Sequence, residues 1–337
     1  MPRKLRNMKE FSDVTGLSRP TVSKYFNDPD SVRASTRARI EAALAEYDFR
    51  PNFFAVNQNR RDPKTIGIVV PQFTDPFYAE IVGRIEQAAM AAGYAAITLS
   101  SHGSPDNEAR AIEMIRSLNI GAVILSPLGH ASDAEAIARL RDETPLLLLD
   151  SHVDGLEAHS LGCDNGQGIG LMVDYLCETG PAPCYVDMPE VNSTALERRE
   201  AYIGAMEARG LAPMILPPPS EGWRFEEIGA EAARRALDAG GFPSPTVLCG
   251  NDRFAMGVLA ATCKAGLKIG PQGDLRVAGH DDHPMAAFSC PSLTTVAQDT
   301  AGLAARAVAI TLDLISGGPA EPLCERLPSR LVKRDSA

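Results

Sequence analysis

The chain has 337 residues, 45% of them hydrophobic, which is more than one domain normally holds and enough for two or three cores. No apolar run reaches the length of a membrane span, and the basic opening MPRKLRNMKE has no apolar segment behind it, so the expected compartment is the cytoplasm and no membrane partner is expected. The net charge of −10 argues against a general nucleic-acid binder, yet residues 1–61 carry 12 Lys and Arg against 7 Asp and Glu, which leaves a small basic head on a body of −15. Seven cysteines, scattered singly without a CxxC pair, read as reduced thiols and not as a disulfide frame or a zinc site.

The first elements are short helices. Met8, Phe11 and Val14 recur at three-residue spacing and line one face of a helix. Gly16 suits a tight turn, Ser18 an N-cap, and Pro20 the first turn of a second helix. Val22 and Phe26 give that helix an inner face. Arg19, Thr21, Ser23, Lys24 and Asn27 are left on an outer face that is short, polar and basic, as a helix entering a major groove requires. A solvated helical hairpin would show the same pattern. A third amphipathic helix runs from Val32 to Leu44, with Ile40, Ala43, Leu44 and Tyr47 on its apolar side, and Arg50-Pro51-Asn52 stops it.

The order and spacing of Gly16-Leu17-Ser18-x-x-Thr21-Val22-Ser23-Lys24, then Thr36-Arg37, then Tyr47 to Pro51-Asn52 resemble the lactose-repressor (LacI) family of bacterial transcription regulators. The resemblance implies DNA contacts from Ser18, Arg19, Pro20, Thr21, Ser23, Lys24, Asn27, Arg33, Thr36 and Asn52. Arg19 and Lys24 would read base edges, and Arg33 stands where relatives often carry a small cap residue. Residues 50–63 connect head and body. Ala55 to Gln58 could form about two helical turns, too few to be stable alone. In the family this is a hinge helix that wedges a leucine into the minor groove. Here Gln58 stands at that position, an amide that makes a poor apolar wedge, so weaker DNA bending is expected.

After Pro63 continuous apolar strands alternate with helices, the mark of parallel, doubly wound sheets. The expected fold class is α/β: two doubly wound parallel-sheet lobes, periplasmic-binding-protein-like in the family, behind a small all-α helix-turn-helix domain at 1–49 and a hinge at 50–63. Lobe 1 is expected at about 64–158 and 291–319, and lobe 2 at about 159–290 and 320–337.

Ligands of open parallel sheets bind beyond the carboxyl ends of the strands. Asp75, Phe77, Ser101, Ser126, Asp150, Asp164, Asn251 and Asp281 follow strands, and most offer the short or planar hydrogen-bonding groups that polyhydroxylated ligands need. The resemblance adds Arg198 and Asp281 as ligand contacts and Trp223 as an aromatic platform. Each has a plainer reading: Trp223 as packing, Arg198 as a surface ion pair, Asp75, Asp150 and Asp164 as helix or turn caps. Gly166-x-Gly168-x-Gly170 has the wrong spacing for a phosphate loop, and His280-Asp281-Asp282-His283 lacks a supporting cluster for a metal; no cofactor and no catalytic set is expected. A solute-binding protein with the same lobes would lack the basic head, and an enzyme would need a catalytic constellation. The family reading implies a regulator, a repressor by expectation, that binds a near-palindromic operator as a homodimer, with a tetramer as the alternative, under control of a small polar effector such as a sugar.

Overall fold

The computed structural model describes residues 3–52, 57, 60, 62–319 and 321–337. Gln58 and the Ala55-Val56 pair of the expected hinge helix lie outside the described residues.

The head is built as its local signals dictate. Helix α1 (Met8–Thr15) starts on Asn7, whose side chain accepts from the N–H groups of Lys9 and Glu10, and stops at Gly16 with φ of 58°. Helix α2 (Arg19–Asn27) is capped by Ser18, whose hydroxyl accepts from Thr21 N–H. Helix α3 (Ala34–Glu46) begins on Arg33, and no side chain caps it. Phe11, Val22 and Ile40 are fully buried between the three, and Phe49 stacks on Phe11 at a centroid distance of 4.4 Å. A two-residue parallel pairing, β1 (Arg3–Lys4) with β2 (Tyr47–Asp48), ties the ends of the head together; nothing in the composition of either segment signals it.

Beyond the linker, the first lobe holds a six-stranded sheet. Its strands are β3 (Thr65–Val70), β4 (Ala95–Ser100), β5 (Ala122–Leu125), β6 (Leu146–Leu149), β7 (His159–Cys163) and β13 (Cys324–Leu327), in the order β13-β7-β6-β5-β3-β4 and all parallel. Thr65–Val70 and Leu146–Leu149 are buried at every residue, which explains why they read as unbroken apolar runs. Helix α4 (Pro76–Ala91) and helix α11 (Thr300–Ile315) cover one face, and α5 (Pro105–Arg116) and α6 (Ala134–Glu143) the other. The second lobe has four parallel strands, β8 (Cys184–Val186), β9 (Ile215–Leu216), β10 (Thr246–Cys249) and β11 (Arg276–Ala278), in the order β11-β10-β8-β9. Helices α7 (Asn165–Thr179), α8 (Ser193–Ala208), α9 (Phe225–Asp238) and α10 (Asp252–Lys264) flank it.

Three expected lobe assignments need correction. His159–Cys163 was expected to open lobe 2, but it pairs with Leu146–Leu149 and so extends the sheet of lobe 1. Cys324–Leu327 pairs with His159–Cys163 and also belongs to lobe 1, not lobe 2. Conversely β12 (Thr295–Ala297) pairs with β14 (Arg330–Val332), and Thr294 bridges to Ala278, so both strands sit at the edge of lobe 2. The chain therefore crosses between lobes near 164, 298 and 328. Periodicity identifies a strand but not which sheet recruits it, because pairing partners lie far away in sequence. Of the cysteines, Cys163, Cys184 and Cys249 are buried and free, whereas Cys263, Cys290 and Cys324 are exposed. No helix among the described residues is long and apolar enough to cross a membrane.

Candidate DNA-binding face and effector cleft

On the head, the outer side of α2 forms the wall of an open groove of about 1370 Å³. Of the expected contact residues, Arg19, Pro20, Ser23, Lys24, Asn27 and Asn52 line it. Arg6, Asn7, Ser31 and Arg50, none of them expected, join them; the sequence does not signal that the chain ends of the head fold back beside α2. Ser18 and Thr21 are turned partly to internal use, with their hydroxyls 2.8 Å apart. Arg33 is the N-cap residue of α3 and Thr36 lies in its first turn, both outside the groove, and no side chain caps that turn. Arg19, Lys24 and Arg33 are exposed.

The linker touches both neighbours. Asn57 is buried; its amide donates to Asn119 O at 2.7 Å and accepts from Lys64 N–H at 2.9 Å, fastening it to lobe 1. Arg60 donates to the carbonyls of Phe26 and Asn27, each at 3.2 Å, at the C-terminal end of α2. A cation over orphan helix carbonyls is favourable.

Between the lobes, strand ends meet in a cleft that leaves only about 40 Å³. Asp75, Phe77, Asp150, Arg198, Trp223, Asn251 and Asp281 line it, as expected. Ser101, Ser126 and Asp164 do not. Ser101 and Ser126 are fully buried with unpaired hydroxyls, and Asp164 caps α7 by accepting from Gln167 N–H at 2.8 Å. Five lobe 2 residues that sequence reading missed, Met188, Val191, Asn192, Thr194 and Phe225, complete the lining together with Tyr78 and Gln298. Their signals were faint: Asn192 is an ordinary N-cap and Tyr78 the neighbour of Phe77.

The charges in the cleft are spent on one another. Arg198 is buried; its Nε donates to Asn165 at 3.0 Å, one terminal nitrogen to Gly250 O at 2.9 Å, and the other to Asp281 at 2.8 Å. Asp281 also accepts from Gln298 at 2.7 Å. Burial alone would raise its carboxyl, but the Arg198 charge and the His280 contact outweigh that and hold it at about 2. His280 is driven down to about 4 by burial and by the Arg198 charge, so it stays neutral. Asp150 lies deeper. Burial pushes it up to about 7, against the pull of Arg198 and of the 2.9 Å bond from Tyr78. Asp150, Asp281 and Asp282 all have positive φ without being glycine, at 69°, 120° and 53°, a strained backbone of the kind that gathers at binding sites.

Several contacts bridge the lobes directly. Asn192 donates to Tyr78 Oη at 3.4 Å, Ser193 lies 2.8 Å from Ser151, and Thr194 reaches Asp150 O at 3.3 Å. Arg253, unsuspected in the sequence, reaches from α10 to Asp75 on lobe 1 at 2.9 Å. Trp223 packs across the cleft on Gly103: a Cβ there would stand 2.2 Å from the indole nitrogen, so only glycine, here at φ of 67°, admits the ring.

With this geometry in view, comparison with known proteins is decisive. Residues 7–52 match the lacI family of bacterial regulatory proteins, and residues 181–337 match the periplasmic binding protein-like domain. The head is thus a lacI-family domain and the second half of the chain a periplasmic binding protein-like one. The HTH-type transcriptional repressor CytR of Escherichia coli is 29% identical over 314 residues, covering 92% of this chain and 90% of the repressor. The ribose operon repressor of the same organism is 28% identical over 337 residues, covering 99% and 100%. The Lac repressor dimer bound to operator and the anti-inducer ONPF superposes with a TM-score of 0.86 at 25% identity, covering 100% of this chain and 99% of that one. The chain is thus a ligand-controlled DNA-binding regulator, not an enzyme.

Proposed function

We propose that this regulator is a cytoplasmic, dimeric repressor of a near-palindromic operator, released or recruited by a small uncharged effector, a sugar or sugar derivative, in the cleft between the lobes. The observation that carries this reading is the convergence of Arg198 and Asp281 with Trp223 and Phe77, from four separated segments, on one interlobe space. In this reading Arg19 and Lys24 read base edges, Ser23, Asn27 and Asn52 hold phosphates, and Ser18, Pro20 and Thr21 set the angle of α2. Arg33 and Thr36 offer a phosphate the first turn of α3. Gln58 enters the minor groove without forcing a sharp kink. Asp75, Asp150 and Asn251 would take effector hydroxyls once the lobes part. Ser101 and Ser126 are withdrawn from the effector set because they are buried away from the cleft lining, and Asp164 because its carboxyl caps α7. A domain division that follows the sheets, with crossings near 164, 298 and 328, replaces the simpler one. The test is operator binding by gel shift, with and without a panel of sugars. A protein that binds operator specifically but responds to no ligand, and whose Arg198→Ala and wild-type forms bind every compound alike, sinks the proposal.

A further inference from the structure

Asn119 lies in the short loop between α5 and β5, and lobe 1 fixes that loop on both sides of it. Leu118 N–H donates to Ile115 O at 3.0 Å, and Gly121 N–H donates to Thr65 O at 2.8 Å. From this anchored position the Asn119 amide donates to two carbonyls of the linker, Asn57 O at 2.8 Å and Arg60 O at 3.2 Å. The buried Asn57 returns a bond to Asn119 O at 2.7 Å and accepts from Lys64 N–H at 2.9 Å, which closes the clasp. Arg60 is therefore held at both ends. Lobe 1 grips its backbone carbonyl, while its guanidinium grips Phe26 O and Asn27 O at the end of α2. A flexible linker of the length of residues 50–64 would let the head wander over about 20 Å. Moving a half-site by one base pair displaces it by only about 3.4 Å along the duplex and turns it by about 35°. A tethered head would follow such a shift; a head docked through Arg60 would not.

We infer that Asn119 is a positioning residue: through Arg60 it presets where α2 stands relative to lobe 1, and so makes the protein discriminate the spacing between half-sites. Base reading by the outer face of α2 is a separate matter and does not pass through this contact. The inference rests on the proposed reading of a dimer on a near-palindromic operator, and adds what fixes the distance between its two DNA-reading helices.

The test uses the full-length protein and operator duplexes whose half-sites are moved together or apart by one base pair, with binding followed by fluorescence anisotropy of the labelled duplex. In the wild type each such change should weaken binding at least about tenfold. Asn119→Asp has the size of asparagine but cannot donate to the Asn57 and Arg60 carbonyls. Its spacing penalty should fall to about threefold or less, while the cost of a base change within a half-site stays as in the wild type. Arg60→Ala breaks the same connection from the head's side and leaves lobe 1 intact, so it decides the matter alone if Asn119→Asp does not fold. It should flatten the spacing preference to the same extent, and the double variant should be no flatter than either single one. A full spacing penalty in either folded variant overturns the inference. So does affinity lost equally at every spacing, which a merely structural clasp would produce, and so do effects that add. A wild type indifferent to spacing overturns it as well. Failure of the underlying reading looks different: no specific binding at any spacing, or one protomer per duplex at saturation, and either result takes the inference down with it.

Discussion

The two working surfaces of this regulator treat charge in opposite ways. On the head, Arg19 and Lys24 stand exposed on a short helix whose caps and core are all made within about forty residues. Around the cleft, Arg198 and Asp75 are buried, Asp281 and Arg253 are half-buried, and all four are paired, with partners up to 178 positions apart. The difference follows from what each surface meets. DNA brings its own dense negative charge, so the protein keeps its cations uncommitted and solvated, and counterion release does the work. A small neutral ligand brings only hydroxyls and an apolar face. The protein must therefore hold charges in place by itself, because an isolated buried ion is too costly.

Breaking a pair in the cleft should consequently do more damage than removing a cation from the head. Arg198→Ala leaves the half-buried Asp281 without its main counter-charge, and loss of one partner of a buried pair costs roughly 3–5 kcal/mol. Urea denaturation of the effector-binding body should show a destabilisation of that order, and calorimetry should show effector binding abolished. Unchanged stability would mean that Asp281 finds solvent by opening the cleft, and that the pair is not structural. Lys24→Ala has no such partner to strand among the described residues. Its effect should appear only against DNA: about 1–3 kcal/mol of specific operator affinity, with relaxed preference at one base position and an unaltered urea midpoint. Equal loss on all sequences would reassign Lys24 from base reading to phosphate contact.

The same contrast governs what could be read from the sequence. The helix-turn-helix of the head was legible almost residue by residue, because Gly16, Ser18 and Pro20 act on neighbours within four positions. In the lobes, strands and helices were legible from apolar periodicity, but sheet membership was not: His159–Cys163 and Cys324–Leu327 look like any other strand until they pair. Seven of the ten expected cleft residues do line it, since strand ends and family position point there. Ser101 and Ser126 follow strands too, yet their side chains are buried away from the cleft. Arg253 was missed because its partners, Asp75, Glu226 and Trp223 O, are contributed by both lobes.

Acid and base sharpen the comparison within the cleft itself. Asp281 has its pKa held low, so it stabilises the fold above the ordinary carboxylate range, and that contribution is lost as pH falls toward about 2. Asp150 is the opposite case. Burial has raised its pKa to about 7, so its neutral form is favoured in the folded protein, and the stability it contributes below about pH 4 is lost as pH rises through 7. Asp150→Asn keeps the acceptor for Tyr78 and removes the titration, and Asn tolerates the positive φ. Thermal melts should show the variant overtaking the wild type as pH climbs from 4 to 8, by a difference on the order of 2–4 kcal/mol. A constant difference across that range would show that Asp150 is already ionised in the folded cleft.

The smallest effect is expected where the two surfaces are joined. Arg60 caps the carbonyl end of α2 from the linker, while Asn57, three residues earlier, is fastened to Asn119 on lobe 1. One short segment thus grips both the DNA-reading helix and the body that senses the ligand. A partly exposed hydrogen bond to helix carbonyls contributes about 0.5–1.5 kcal/mol. Arg60→Ala should therefore weaken operator binding by no more than about tenfold. The more telling readout is coupling. If the linker carries the state of the lobes to the head, the effector-dependent change in operator affinity should shrink in Arg60→Ala while effector affinity of the body stays as it was. Because coupling between two sites is reciprocal, operator DNA should then also perturb effector binding less than in the wild type. An effector response of full size in Arg60→Ala would show that this contact only props up the head, and that the signal reaches it by another part of the linker.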